Sequence, residues 1–137
     1  MDKAGPIIII DDDSDDQELL RDLFAELNLE NEVHIFSEGE SALDFLSDTS
    51  VRPFIIISDI KMPRMDGFEL RNRLAQRSEH SKSTPFLFFT TGSTAQVLNA
   101  AYSHSVQGIF QKPVKYIEWK ETLNNILRYW TNCMAPA

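Results

Sequence analysis

An acidic run after the first apolar segment contains the side chains that most readily bind a hard cation. Residues 11–16 read DDDSDD and follow four isoleucines at 7–10. Carboxylates a few ångströms apart repel one another and resist joint ionisation unless a cation or hydrogen-bond donors offset their charge. The run is therefore either a solvated turn or part of a cation site.

Three more residues with reactive or charged side chains come directly after other apolar runs. Asp59 follows FIIIS, Thr90 follows FLFF and Lys112 follows GIFQ. A carboxylate, a hydroxyl and an ammonium can serve metal or phosphoryl chemistry if the fold brings them to one place. Their use therefore depends on the elements that precede them.

The apolar runs have the length of strands and predict five of them. Each run is continuous and rich in β-branched or aromatic residues, which is typical of parallel strands that helices cover on both faces. The predicted strands span residues 7–10, 33–36, 54–57, 86–89 and 108–111.

Helical periodicity separates these strands. In residues 14–27 the apolar positions repeat at helical spacing, and Ser14 with Gln17 forms a capping-box pattern. Residues 78–84 are predicted to form an exposed loop. Further helices are predicted at 39–46, at 67–76 after an Asp66 cap, at 94–103 and at 116–130.

The alternation of strand and helix predicts an α/β domain with a doubly wound, five-stranded parallel sheet. In the flavodoxin-like order 2-1-3-4-5 the first and third strands are neighbours, and ligands bind beyond the carboxyl ends of the strands. Asp11, Asp12 and Asp59 would then meet at one edge of the sheet. Three carboxylates there suit Mg²⁺, which prefers oxygen ligands.

Length and charge limit the classes of function. The 137 residues fit one globular domain, with a core predicted over about residues 7–130 and a tail at 131–137. The net charge of −8 argues against nucleic-acid and anionic-membrane partners, because both need clustered Lys and Arg. A lone cysteine, Cys133, and the lack of a long apolar run predict a cytoplasmic protein without disulfides or membrane spans.

Four motifs occur in order along the chain: IIIIDDDSDD, IIISDIKMPRMDGFEL, FFTTGS and FQKP. Together they resemble the receiver domains of two-component response regulators, the CheY-like family, and the similarity covers nearly all of residues 7–130. The resemblance implies a single-domain, stand-alone regulator that takes part in a two-component phosphorelay.

The resemblance also implies roles for the acidic residues. Asp59 would accept the phosphoryl group and so act as the nucleophile. Asp11 and Asp12 would place Mg²⁺, with Asp59 and the backbone carbonyl of Lys61 completing the protein ligands.

Two donors complete the implied site. Thr90 would offer its hydroxyl to a phosphoryl oxygen, and Lys112 would pair first with the acceptor and then with a phosphoryl oxygen. The resemblance implies a cis Lys112–Pro113 bond that points the lysine inward. Many members of the family carry a Tyr or Phe switch at the position of Ile109, and this departure leaves the aromatic signalling step open.

The resemblance implies a phosphoacceptor rather than an enzyme, with at most self-phosphorylation from small donors and self-dephosphorylation. The implied partner is a sensor histidine kinase, with the phytochrome type as one candidate, or a histidine phosphotransfer protein. A second copy of the chain is a further candidate. Because few residues follow the last predicted helix, output is predicted to occur through protein contacts.

Two other functions fit part of the pattern. A haloacid-dehalogenase-like phosphatase would use Asp11 as its nucleophile in a D-x-D motif with Asp13, although the acidic pair expected after the lysine is missing. A receiver-shaped scaffold that never takes phosphate is the other. Asp13, Asp15 and Asp16 are assigned to the start of the first helix, where negative charge complements the helix dipole.

Overall fold

A computed structural model describes residues 1–77, 83–92 and 94–135, and within these ranges five strands alternate with five helices. This order confirms the predicted alternation. The elements are β1 (Ile7–Ile10), α1 (Ser14–Leu27), β2 (Val33–Phe36), α2 (Gly39–Leu46), β3 (Ile55–Ser58), α3 (Gly67–Ala75), β4 (Phe86–Thr90), α4 (Ala95–Ser103), β5 (Gly108–Gln111) and α5 (Tyr116–Asn132).

The strands form one parallel sheet in the order β2-β1-β3-β4-β5, which confirms the predicted order 2-1-3-4-5. In the register of the three neighbouring strands, Ile10 of β1 lies opposite Phe36 of β2 and Ser58 of β3. β1 and β3 therefore end at the same level, and the residues that follow them emerge side by side.

The three central strands, β1, β3 and β4, are buried on both faces, and this explains their continuous apolar runs. Successive residues of a strand point to opposite faces, so Ile7 and Ile9 pack on one side and Ile8 and Ile10 on the other. The first side is covered by α1 and α5, and the second by α2, α3 and α4. Every residue of β1 therefore has to be apolar.

The start of α1 differs from the predicted capping box. Asp13 is the N-cap, and its carboxylate accepts hydrogen bonds from the backbone amides of Asp15 (2.9 Å) and Asp16 (3.1 Å). Gln17 is buried instead and donates to the carbonyl oxygen of Asp11 and to the hydroxyl of Ser37. The Ser14 and Gln17 prediction is wrong because the helix is capped one residue earlier, by the carboxylate of Asp13.

Other boundaries move slightly. β3 begins and ends one residue later than predicted, and α5 continues to Asn132. The predicted Asp66 cap is confirmed, since its carboxylate accepts from the backbone amide of Glu69 at 2.8 Å. The predicted exposed loop at 78–84 lies mostly outside the described residues, but it is wrong for Thr84, which is buried just before β4. Among the described residues, no helix has the length and apolar character needed to cross a membrane.

Candidate functional site

Backbone hydrogen bonds that continue the sheet by one residue hold the ends of β1 and β3. The amide of Asp59 donates to the carbonyl of Ile10 at 2.8 Å, and the amide of Asp11 donates to the carbonyl of Phe36 at 2.9 Å. The two aspartates thus leave neighbouring strands with their backbones fixed. Their side chains emerge at the edge where ligands bind in doubly wound folds.

Gly67, at the first turn of α3, lets the chain after Asp59 lie close to the strand edge. The Gly67 amide donates to the carbonyl of Ile60 at 2.8 Å. A Cβ at this position would overlap the carbonyl oxygen of Asp59 and crowd the ring of Phe88. The MDG motif therefore supports the loop that carries the acidic residue.

Asp11, Asp12 and Asp59 form what we call the acid cluster. Each can offer a carboxylate oxygen within 4.8 Å of the others; Asp11 and Asp59 are buried, whereas Asp12 is exposed. Such a set of oxygen donors fits a hard divalent cation. Lys61 lines a cavity of about 540 Å³ together with Asp12 and Asp59, and the use of its carbonyl as a ligand stays a prediction.

Asp59 is held from both of its carboxylate oxygens. Oδ1 accepts hydrogen bonds from the backbone amide of Ile60 (2.7 Å) and from the hydroxyl of Thr90 (3.1 Å), while Oδ2 accepts one from Nζ of Lys112 (2.7 Å). The side chain is 9% exposed. Of the two adjacent threonines, Thr90 is buried and faces the site, whereas Thr91 is exposed.

Three carboxylates surround the ammonium of Lys112. Nζ lies 2.7 Å from Asp59, 2.8 Å from Asp16 and 2.9 Å from Asp11. Burial disfavours the charged amine, but hydrogen bonds to the three carboxylates outweigh it and raise the pKa of Lys112 above its usual value.

The Lys112–Pro113 bond is trans, so the predicted cis bond is wrong. The lysine nevertheless points inward, and its side chain is 5% exposed. Its backbone amide donates to the carbonyl of Thr90 at 2.7 Å, which continues the β4–β5 ladder to the edge of the site. From that position the four-carbon stem spans the remaining distance with the ordinary trans isomer.

Burial raises the pKa of the Asp11 carboxyl to about 6, because removal from water disfavours its ionised form. Hydrogen bonds from Lys112 and from the backbone amide of Asp13 act in the opposite direction, and the charge of Asp59 adds to the rise. This behaviour is expected where several acids share a buried site that one lysine does not neutralise.

The fold brings the acid cluster and two donors, Thr90 and Lys112, to the carboxyl edge of a doubly wound sheet. The family model of the response regulator receiver domain matches residues 7–124. This chain belongs to the receiver domain family. That assignment confirms the resemblance, and the family generally serves signalling rather than enzymatic turnover.

Several relatives match this receiver domain over most of its length. The probable methanogenesis regulatory protein FilR2 of Methanothrix harundinacea (strain 6Ac) is 27% identical over 128 residues, which span 90% of this chain and 82% of FilR2. The Mn²⁺-bound form of the response regulator Rcp1 is 23% identical, with a TM-score of 0.82 over 97% of this chain and 99% of Rcp1. The phosphorylated cyanobacterial phytochrome response regulator RcpA is 19% identical, with a TM-score of 0.85 over 97% and 99% of the two chains. At these identities the two structures establish the fold.

The contact between Asp16 and Lys112 in this receiver domain was not predicted from the sequence. The assignment of Asp16 to the helix start holds for its position in the first turn of α1, but its carboxylate also reaches Lys112. The available signal is geometric: helix side chains tilt toward the N-terminus, which at α1 means toward the strand edge. The partner lies 96 positions away in the chain, so only the tertiary structure identifies it.

The position of the aromatic switch is occupied by an aliphatic side chain. Ile109 is half-buried and packs with the core under α2, α3 and α4. Phe110, the adjacent aromatic residue, lies on the other face with the core under α1 and α5. Phe110 is therefore not placed to replace an aromatic side chain at position 109.

Proposed function

We propose that this receiver domain accepts a phosphoryl group on Asp59 from a sensor histidine kinase or a histidine phosphotransfer protein, in a Mg²⁺-dependent reaction. The observation that supports this most directly is the arrangement around Asp59. One buried carboxylate accepts hydrogen bonds from Thr90 and Lys112 and lies beside the carboxylates of Asp11 and Asp12. Phosphoryl transfer needs in-line positioning and charge stabilisation, and these groups can supply both.

In the proposed reaction an oxygen of Asp59 forms a bond to phosphorus as the bond from phosphorus to the donor histidine nitrogen breaks. The electron pair of that broken bond stays on the histidine ring. Asp11, Asp12 and Asp59, with the carbonyl of Lys61, would hold Mg²⁺, which when bound offsets negative charge on the phosphoryl oxygens.

Thr90 and Lys112 would then change their hydrogen-bond partners from the Asp59 carboxylate to the phosphoryl group. Thr90, whose hydroxyl now donates to Asp59, would turn to a phosphoryl oxygen, and the ammonium of Lys112 would pair with another. Phosphorylation adds roughly 1.5 to 2 units of negative charge at one point. The movement of Thr90 and Lys112 would alter the protein surface near the ends of β4 and β5.

Output through protein contacts is part of the same proposal. A groove lined by Phe110, Ile126 and Trp130 lies between β5 and α5, and Tyr129 at its rim is 63% exposed. This face suits contact with a partner protein or a second copy of the chain. The fold shared with the phytochrome response regulator RcpA makes a phytochrome-type kinase a candidate donor.

The experiment is incubation with acetyl phosphate and Mg²⁺, followed by intact-mass measurement and peptide mapping. We expect the mass of one phosphoryl group, located on Asp59, and no gain in EDTA or in Asp59→Asn. A wild-type protein that gains no mass, or an Asp59→Asn variant that gains as much as the wild type, would refute the proposal. Label on Asp11 would instead favour the phosphatase alternative.

A further inference from the structure

Asp16 is a close partner of Lys112 that the proposed phosphoryl chemistry does not use. Its Oδ2 lies 2.8 Å from Nζ, and its side chain is 23% exposed while that of the lysine is 5% exposed. Within the described residues, the acid cluster that could hold an ion does not include Asp16. This carboxylate therefore contacts the lysine without being part of the set that fits a metal.

Lys112 and a divalent cation would compete for the carboxylates of Asp11 and Asp59. An ammonium has three N–H donors, and here three carboxylates surround it. A cation held by Asp11 and Asp59 would draw on two of those carboxylates and would repel the ammonium. A buried charge that loses its partners is costly, so cation binding carries a penalty unless the lysine keeps another contact.

We propose that Asp16 is a positioning residue that retains Lys112 at the edge of the site while a divalent cation occupies the acid cluster. By keeping one carboxylate for the lysine, Asp16 lowers the cost of cation binding and leaves the ammonium close to Asp59, where an incoming phosphoryl group would need it. The inference rests on the proposed function, because it assigns Asp16 a part in regulating the same site.

Two neighbouring aspartates in the first turn of α1 provide a matched pair of variants. Asp16→Asn preserves the size of the side chain and removes its charge. Asp15→Asn changes the net charge by the same amount at an exposed position of the same turn. Both substitutions weaken the interaction with the helix dipole alike, so a difference between them reports the contact with Lys112.

The first measurement is Mg²⁺ affinity by calorimetric titration of the three proteins. We expect the Kd of Asp16→Asn to rise by about threefold to tenfold, as expected when a charge-assisted hydrogen bond is lost. Asp15→Asn should stay within about twofold of the wild type, because the charge that it removes is exposed and screened.

The second measurement is the ¹H–¹⁵N NMR signal of the Lys112 ammonium, assigned by its absence in Lys112→Met. In the wild type and in Asp15→Asn the signal should remain protected from exchange with water when Mg²⁺ is added. In Asp16→Asn it should be lost on addition of Mg²⁺. Equal Mg²⁺ affinities and equal ammonium signals in the two Asn variants would overturn the inference.

The outcomes separate this inference from the proposed function. A wild type that binds Mg²⁺ and gains phosphate, with Asp16→Asn indistinguishable from Asp15→Asn, refutes the role of Asp16 alone. A wild type that binds Mg²⁺ and shows the expected difference between the variants, yet never gains phosphate, refutes the proposed function alone. Failure of the wild type to bind Mg²⁺ refutes both.

Discussion

The acid cluster and the donor pair, Thr90 and Lys112, are held in different ways. Asp11 accepts a hydrogen bond from the backbone amide of Asp13, and Asp59 accepts one from the amide of Ile60. The hydroxyl of Thr90 and the ammonium of Lys112 contact carboxylates instead. The carboxylates of Asp11 and Asp59 are thus oriented by backbone amides, whereas the side-chain donors of Thr90 and Lys112 contact carboxylates.

This difference indicates which part of the site can respond to a change of charge. A phosphoryl group bonded to Oδ2 of Asp59 would leave in place the strand hydrogen bonds that fix the backbones of Asp11 and Asp59. It would alter the partners of both donors at once. Signalling through the chain segments after β4 and β5 is therefore easier to reconcile with the structure than movement of β1 or β3.

The strongest disruption of this arrangement should come from Lys112→Met, which removes the cation shared by Asp11, Asp16 and Asp59. Breaking a buried ion pair from one side leaves uncompensated charge, and we expect the metal-free protein to lose about 3 kcal/mol of unfolding free energy. Urea unfolding in EDTA measures this loss. Added Mg²⁺, which stabilises by binding the folded state, should restore more stability to the variant than to the wild type, because Lys112 no longer competes for Asp11 and Asp59.

Lys120→Met is the matched control for that variant. Lys120 pairs with Glu26 at 3.1 Å on the surface, where its side chain is 38% exposed. Surface pairs contribute about 0–1 kcal/mol, so this variant should unfold close to the wild type. Equal losses in the two variants would mean that Lys112 is not the charge on which the acid cluster depends.

Gly67→Ala tests the backbone support of the acids. The new Cβ would overlap the carbonyl oxygen of Asp59, so the loop has to shift, at a cost of about 2 kcal/mol in unfolding free energy. We also expect slower phosphorylation by acetyl phosphate, measured by intact mass. Gly39→Ala is the control, since its Cβ would meet the side chain of Met65, which can change rotamer.

Thr90→Val tests the donor pair with little effect on the acids. The substitution keeps the shape and removes the hydroxyl that donates to Asp59, and one hydrogen bond contributes about 1 kcal/mol. Phosphorylation should slow by about fivefold to tenfold, while Mg²⁺ affinity should remain within about twofold. Thr49→Val, at an exposed position in the loop before β3, should change neither. A large fall in Mg²⁺ affinity in Thr90→Val would show that donors and acids are not independently held.

Much of the fold was predictable because the central strands of the sheet are buried on both faces. Four consecutive apolar residues are rare in a half-exposed strand, and in β1 each of them packs into one of the two cores. The acid cluster was also predictable, because parallel strands that end together bring the following residues to one edge. Asp11 and Asp59 needed no information beyond strand order.

Three features of the structure could not be predicted, because each depends on contacts between residues far apart in the chain or on a choice between two similar local arrangements. The N-cap of α1 could fall on Asp13 or Ser14, and only the structure shows that the Asp13 carboxylate accepts from the amides of Asp15 and Asp16. The contact of Asp16 with Lys112 depends on how close α1 lies to the end of β5. The isomer of the Lys112–Pro113 bond could not be predicted, because the lysine also reaches the site with a trans bond.

The smallest expected effect belongs to Ile109→Val. Ile109 packs against the core on the side of α2, α3 and α4, so losing one methyl group should cost about 1 kcal/mol of unfolding free energy. Mg²⁺ affinity and the rate of phosphorylation should not change, because Ile109 supplies packing and no contact to the acid cluster. Chemical denaturation measures the loss of stability, and Mg²⁺ titration and phosphorylation by acetyl phosphate measure the other two quantities. Altered phosphorylation at unchanged Mg²⁺ affinity would mean that the aliphatic side chain takes part in the response to charge, so that the strand before Lys112 belongs to the mobile donor side of the site.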